Sequence, residues 1–294
     1  SSFQLPYYIA LDRDKDLTIS SRLFLSENPL IVGEYRQAFA KSNLLFDFGY
    51  TKGYKNTSDT KKPGEKKHFF SSFIKNFKGN SGSDNSIELK VQKVSNDKYL
   101  KLYKIDSELV NYETESLENS LGFTHENDNL FFGVQASAFR TLKDSYNDRY
   151  EYILPNITVD KNLFANEKYG SADFTSNINF HNYDTNKFEK FFVNDIDWKF
   201  KNFSYSSGLK GSILGKLKNV NYETKNTSIF KNEPVNELFG AIGYLTEIDF
   251  FKKTKNNAKH LLTPKILFRY SPDHMRKEID ETARLGYYDI FSLD

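Results

Sequence analysis

One pattern limits this chain more than any other. Short stretches of alternating apolar and polar residues recur along most of its length. In "DLTISSRLFL", Leu17, Ile19, Leu23 and Leu25 fall on one side and Thr18, Ser20 and Arg22 on the other. "PLIVGEYRQAF" sets Ile31, Tyr35 and Phe39 against Glu34 and Arg36. "NLLFDFGY" places Leu44, Phe46, Phe48 and Tyr50 opposite Asp47, and "SIELKVQK" places Ile87, Leu89 and Val91 opposite Glu88, Lys90 and Gln92. The same holds for "SADFTSNINFH" (Ala172, Phe174, Ile178 and Phe180) and "NDIDWKF" (Ile196, Trp198 and Phe200), and it continues through "ELFGAIGYLTEIDFF" and "HLLTPKILFRY". A period of two is the signature of a strand with two unlike faces. About thirteen or fourteen such segments can be counted. Many are near the roughly 9–11 residues that a tilted strand needs to cross a bilayer.

The connections predict the same architecture. Ser26–Asn28, Lys41–Asn43 and Glu126–Asp128 read as short turns. Thr51–Lys67, Lys78–Asn85 and Lys216–Asn236 read as long polar loops. Long structureless loops are uncommon in compact soluble domains, whereas short turns at one end and long loops at the other mark outer-membrane barrels. A soluble sandwich also has one wet and one dry face. Two features favour the barrel. Full charges and amides recur on the polar face, as in a water-filled lumen. Aromatics stand near the strand ends on the apolar face (Tyr35, Phe39, Tyr50, Phe180, Phe200, Tyr244 and Tyr270), as in an interfacial girdle. With 27 Phe and 19 Tyr, the composition is itself strand-prone. The expected fold is all-β: an antiparallel up-and-down transmembrane β-barrel, of which this chain supplies a part.

Composition excludes some functions. The 41 basic residues are balanced by 39 acidic ones, which disfavours a nucleic-acid binder. There is no cysteine, hence no disulfide framework. No run of about 18 apolar residues exists for a transmembrane helix. The chain opens "SSFQLP" without an initiating Met, and a piece of a longer product is expected.

No catalytic constellation is found, and no enzyme is expected. His68, His125, His181, His260 and His274 lack metal-site spacing and read as loop or strand-face residues. "DRDKD" (Asp12–Asp16) lacks the Gly and distal Glu of a calcium loop and reads as a charged hairpin turn. Asp195 and Asp197 share a strand face. They read as lumen wall beside water or a basic neighbour rather than as paired catalytic carboxylates. "GLKGSILGKLK" reads as a strand in which Gly relieves crowding. "TKKPGEKKHFF" (Thr60–Phe70) is the densest basic stretch. It reads as a solvated loop, with attraction to anionic headgroups as the alternative. No cofactor and no metal are expected.

The opening block "FQLPYYIALDRDKDLTISSRLFLSENPLIVGEYRQAF" resembles the start of the barrel domain of the lipopolysaccharide-assembly outer-membrane protein family, LptD (OstA). The matching residues are Leu5-Pro6-Tyr7-Tyr8, Asp16, Thr18-Ile19 and Gly33-Glu34-Tyr35-Arg36. "VSNDKYLKLYKID", "YEYILPNITVD" and "LLTPKILFRYSPDH…DIFSLD" resemble later stretches of the family in the same order. The resemblance implies lipopolysaccharide transport and assembly at the outer membrane of a Gram-negative bacterium. It implies a barrel of about twenty-six strands, preceded by a periplasmic jelly-roll domain. This chain would lack that domain and the second half of the barrel. The implied partners are lipopolysaccharide, the membrane, an LptE-like plug lipoprotein, and an LptA-like bridge protein that meets the jelly roll.

The implied exit is sideways, between the first and last strands. Leu5, Pro6, Tyr7 and Tyr8 would form the lateral-gate strand. Proline has no N–H to give, which suits it to a seam. A second family proline is replaced here by Ser21. Thr18, Ser20, Arg22, Glu34 and Arg36 would face the lumen. Another outer-membrane barrel, a porin or receptor, and a soluble β-sandwich binding module remain the alternatives.

Overall fold

The computed structural model describes residues 2–57, 63–79, 82–143, 148–230, 232–253 and 259–272. His274 and the segment "DIFSLD" lie outside the described residues. The strands are β1 (Ser2–Asp12), β2 (Lys15–Phe24), β3 (Leu30–Phe39), β4 (Ser42–Gly53), β5 (Pro63–Lys78) and β6 (Asp84–Val94). A five-residue helix, α1 (Tyr99–Tyr103), follows. Then come β7 (Ser116–Asn127), β8 (Leu130–Thr141), β9 (Tyr150–Asn166), β10 (Gly170–Tyr183), β11 (Lys187–Lys199) and β12 (Phe203–Ser204). The last are β13 (Leu209–Lys225), β14 (Val235–Ile248), β15 (Phe250–Lys253), β16 (Lys259–Leu262) and β17 (Lys265–Tyr270).

The main sheet is antiparallel and up-and-down. Its neighbours follow chain order from β1 to β11, then β13, β14 and β17. The two-residue β12 pairs with β13, and β15 and β16 form a separate two-stranded ribbon. Among the described residues the sheet is not closed: β1 pairs with β2 alone and β17 with β14 alone. No helix among them is long and apolar enough to cross a membrane.

The chain divides into two compact units. The first holds Ser1–Asn127, Gly133–Asn156 and His181–Thr185; the second holds Asp128–Phe132, Ile157–Phe180 and Asn186–Asp294. In the first unit the register sorts the side chains of β1 to β6 between two faces. Partners directly opposite in an antiparallel pair share a face. Thr18 faces Glu34, Glu34 faces Asp47, Asp47 faces Phe70 and Phe70 faces Gln92. Those residues define the polar face. Ile19, Gly33, Phe48, Phe69 and Lys93 run parallel to them on the apolar face. At one strand end the connections are short, 13–14, 40–41 and 79–83; at the other they are 25–29, 54–62 and 95–115.

In the second unit, β11, β13 and β14 repeat the arrangement. Asp195 faces Lys218, and Asp197 faces Lys216. Ile196, Leu217 and Gly240 line the opposite face, with Trp198 and Gly215 beside them.

Where the core sits separates a barrel wall from a sandwich. A sandwich buries its apolar faces against each other. Here the apolar face stays open in both units: Leu121 is 55% exposed and Phe268 64%. Exposed apolar area on this scale needs a partner, and a lipid phase supplies one. Among the described residues the buried apolar cluster lies instead on the polar face of the first unit. There Tyr99, Leu100, Tyr103, Ile105 and Val110 pack on Leu30, Phe70, Val94, Leu117 and Leu142.

Three connections differ from expectation. Thr51–Lys67 and Lys78–Asn85 are partly strand, leaving 54–62 and 79–83 as connections. Lys216–Asn236 is not one loop. Its first ten residues are the second half of β13, and 226–234 is the connection. The reason is a change of phase. Leu217 lies on the apolar face, but two and four residues later Asn219 and Asn221 occupy it. Val220, Tyr222 and Thr224 turn to the polar side. The amides satisfy one another: Asn221 Nδ2 donates to Asn219 Oδ1 at 2.6 Å, Asn236 Nδ2 donates to Asn221 Oδ1, and Ser176 Oγ donates to Asn194 Oδ1 at 2.8 Å. A ladder of paired amides lowers the cost of placing polar groups on that face.

Candidate functional site

The β1 edge comes first. Leu5 pairs with Ser21, Pro6 with Ser20, Tyr7 with Ile19 and Tyr8 with Thr18, in a register unbroken from Ser2 to Ala10. The four residues therefore divide between the faces. Leu5 and Tyr7 lie on the apolar face, where Tyr7 is 69% exposed. Pro6 and Tyr8 lie on the polar face with Ser20 and Thr18. The strand is exposed along nearly all its length. Pro6 removes one N–H, either from the pairing with β2 or from the free edge. Ser21 keeps its N–H, so the defect is confined to β1.

The five polar candidates share one face. Thr18 opposes Glu34, Asp16 opposes Arg36, Ser20 opposes Val32 and Arg22 opposes Leu30. Two of the five have a use that was not foreseen. Arg22 donates through Nη1 to the carbonyls of Tyr103 at 2.8 Å and Lys104 at 3.2 Å. Arg36 meets Asp16 at 3.1 Å, Glu34 at 3.7 Å and Glu108 at 3.3 Å. Both arginines grip residues 95–115, which fold back over the polar face.

Local chemistry gives that segment its shape. Asn96 Oδ1 accepts the N–H of Lys98 at 3.0 Å in a turn just ahead of α1. Lys104 ends it in the left-handed conformation, φ 47°. Ser107 Oγ accepts the N–H groups of Leu109 and Val110, both at 3.2 Å. Asn111 Oδ1 accepts that of Glu113 at 2.9 Å. Asn96, Ser107 and Asn111 each close a turn with their own side chain, so the segment holds its form without a ladder.

It is anchored at four further points. His68 Nε2 lies 2.5 Å from Asp47 Oδ1, and His68 Nδ1 lies 3.0 Å from the Tyr99 hydroxyl. A carboxylate only accepts, so Nε2 carries a proton; in the neutral imidazole Nδ1 then accepts the phenol O–H. All three side chains are buried, and Phe70 stacks on the imidazole. Gly49, opposite His68, makes the contact possible. A Cβ there would stand 2.4 Å from His68 Cε1 and 2.8 Å from the Tyr99 oxygen. Gln92 Nε2 donates to Leu109 O at 3.5 Å. Arg140 donates to Val94 O at 3.0 Å and to Asp97 at 2.6 Å, and Arg149 also pairs with Asp97. Burial pushes the Tyr99 hydroxyl above its ordinary range, aided by the nearby Asp47 carboxylate. Burial does the same for Tyr103, with a smaller effect from Glu27.

A carboxylate–imidazole–hydroxyl chain has the order of a nucleophilic triad. Here the hydroxyl is a buried phenol with no room for a substrate beside it. The three residues hold the segment in place. Short of the segment, an open cleft of about 560 Å³ remains on the polar face next to β1, lined by Tyr8, Arg13, Arg36, Asn43, Ser72 and Glu108.

The other sequence candidates resolve simply. Asp195 and Asp197 meet Lys218 at 3.6 Å and Lys216 at 3.4 Å, as basic neighbours of a wall. His125 bonds Asn85 at 2.7 Å, His181 bonds Glu151 at 2.7 Å, and His260 is exposed on β16. Among the described residues no metal-binding cluster is found. Pro63–Lys67, part of the densest basic stretch, opens β5 rather than lying in a loop.

No curated protein matches the chain. The profile of one family, LPS transport system D (LptD), matches residues 70–294. That span covers most of the chain, including α1 and every strand from β6 onward; it begins inside β5 and does not reach the β1 edge. This long match, on a large antiparallel sheet whose apolar face lies open, places the chain in the outer-membrane LptD family of LPS transport system D.

Proposed function

We propose that this chain forms the first part of a barrel wall through which lipopolysaccharide reaches the outer leaflet, leaving sideways past β1. Membership of the LptD family carries the broader statement, a role in lipopolysaccharide transport and assembly at the outer membrane. The lateral exit is supported by Pro6, which leaves β1 one backbone N–H short. A seam that opens must be cheap to open. Each backbone hydrogen bond that is absent lowers the cost by about 0.5–1.5 kcal/mol.

In this reading the polar face of β2 and β3 lines the aqueous lumen. Thr18, Ser20 and Glu34 line the saccharide path, while Arg22 and Arg36 hold residues 95–115 against the wall. The apolar face, with Leu5 and Tyr7, meets lipid. A plug lipoprotein of the LptE type would occupy the lumen, and a bridge protein of the LptA type would deliver cargo through a jelly-roll domain.

The test is Pro6→Val, which restores an N–H while keeping a strand-prone side chain. Lipopolysaccharide arrival at the cell surface is expected to slow by about 2- to 10-fold, the kinetic equivalent of one backbone hydrogen bond. Unchanged export, with the variant folded and present at normal level, would remove Pro6 from the seam.

A further inference from the structure

We propose that the β15–β16 ribbon docks on anionic lipid headgroups at the rim of the barrel. The ribbon stands apart from the main sheet. Its register grades it along its length. Phe250 pairs with Leu262 and Phe251 with Leu261; further out, Lys252 pairs with His260 and Lys253 with Lys259. The base is apolar on both faces and the outer part is basic on both. All eight side chains are exposed, Phe251 to 75%.

Charges at the base are already paired. Asp249 accepts Lys210 Nζ at 2.7 Å and the Thr263 hydroxyl at 2.7 Å, and these two partners hold its carboxyl below the usual range. Glu247 meets Lys265 at 3.2 Å. Among the described residues no carboxylate meets Lys252, Lys253 or Lys259.

Two Phe and two Leu in water beside unpaired lysines suit neither a solvated hairpin nor a buried one. They suit an interface. The ribbon continues directly from β14 and β17, whose Ile242, Ile266 and Phe268 belong to the exposed apolar face. Past the end of that face the surroundings change from acyl chain to headgroup. Apolar side chains can then stay at the acyl boundary while ammonium groups reach phosphates. Apolar and basic residues are both used only by a lipid surface; free phosphate would leave Phe251 and Leu261 without a role. This surface is independent of the export route.

The test uses the intact protein that carries this chain. It is reconstituted in nanodiscs of phosphatidylcholine alone, or of phosphatidylcholine mixed with phosphatidylglycerol. Hydrogen exchange is followed in a peptide covering residues 250–262. Exchange is expected to be roughly 100-fold slower in the anionic discs, from three lysines near the charged surface. High salt is expected to erase the difference. The triple variant Lys252→Gln, Lys253→Gln, Lys259→Gln is expected to do the same, while peptides from β13 and β14 keep wild-type exchange. Equal exchange in both lipids would overturn the proposal, as would lipid dependence that survives the triple variant. Protection that arrives only with an added protein, in either lipid, would replace the lipid with a protein partner.

Discussion

Tyr99→Phe tests how residues 95–115 are held. The change removes one oxygen and leaves the ring, so the packing against His68 and Tyr103 survives. What is lost is the 3.0 Å hydrogen bond to His68 Nδ1. With Nε2 committed to Asp47, Nδ1 becomes a buried acceptor without a donor. Leaving such a group unpaired costs about 1–3 kcal/mol, more than the net 0.5–1.5 kcal/mol of an ordinary bond. The segment should therefore open about 5- to 150-fold more often, because each 1.4 kcal/mol is a factor of ten. The reporters are amides protected only when the segment is docked and formed: Leu102 N–H, bonded to Lys98 O at 2.9 Å, and Ile105 N–H, bonded to Leu100 O at 3.0 Å. Native-state hydrogen exchange should show both accelerated by that factor, with amides of β3 and β4 unchanged. If exchange at Leu102 and Ile105 stays at the wild-type rate in a folded variant, the Asp47–His68–Tyr99 chain does not hold the segment.

Two further outcomes are expected. Tyr99 and Tyr103 have raised pKa values in the folded protein, so the folded state keeps protons that the unfolded chain loses. Their contribution to stability is complete below the ordinary tyrosine value near 10 and declines as pH rises beyond it. Tyrosinate absorbance should show a late-ionising fraction that shrinks in Tyr99→Phe; its persistence would disconnect that fraction from Tyr99. In the second unit, Lys216→Glu places a carboxylate opposite Asp197. Like charges directly opposed on adjacent strands should cost about 0.2–1 kcal/mol, and the swap with Asp197→Lys should recover most of it in thermal unfolding. Failure of the double swap to recover would mean that the pair at 3.4 Å contributes nothing.

Most of the sheet could be read from the chain because its period is local. Ile87, Leu89 and Val91 on β6 need no distant information to be placed on one face. The second half of β13 was hidden by a local exception: at Asn219 the apolar face turns polar, and only cross-strand amide partners make that tolerable. Pro6 was visible as an anomaly because proline acts through its own backbone. The fastening of residues 95–115 was not visible. Histidine, glycine and tyrosine at 68, 49 and 99 carry no spacing signal. They meet because the β4–β5 register sets Gly49 opposite His68 and leaves room for a phenol above it. Polarity alone groups Arg22 and Arg36 with Glu34 on one face. It could not reveal that the guanidinium groups are engaged by backbone carbonyls and Glu108.

The lateral exit past β1 is tested most directly by closing it. A cysteine at Tyr7, exposed on the edge strand, would be paired by disulfide with a cysteine in the last strand of the intact barrel. This chain contributes no competing thiol. With the crosslink complete, lipopolysaccharide should cease to reach the cell surface, and reduction should restore it. Export that continues at the normal rate through a fully crosslinked seam would contradict the account.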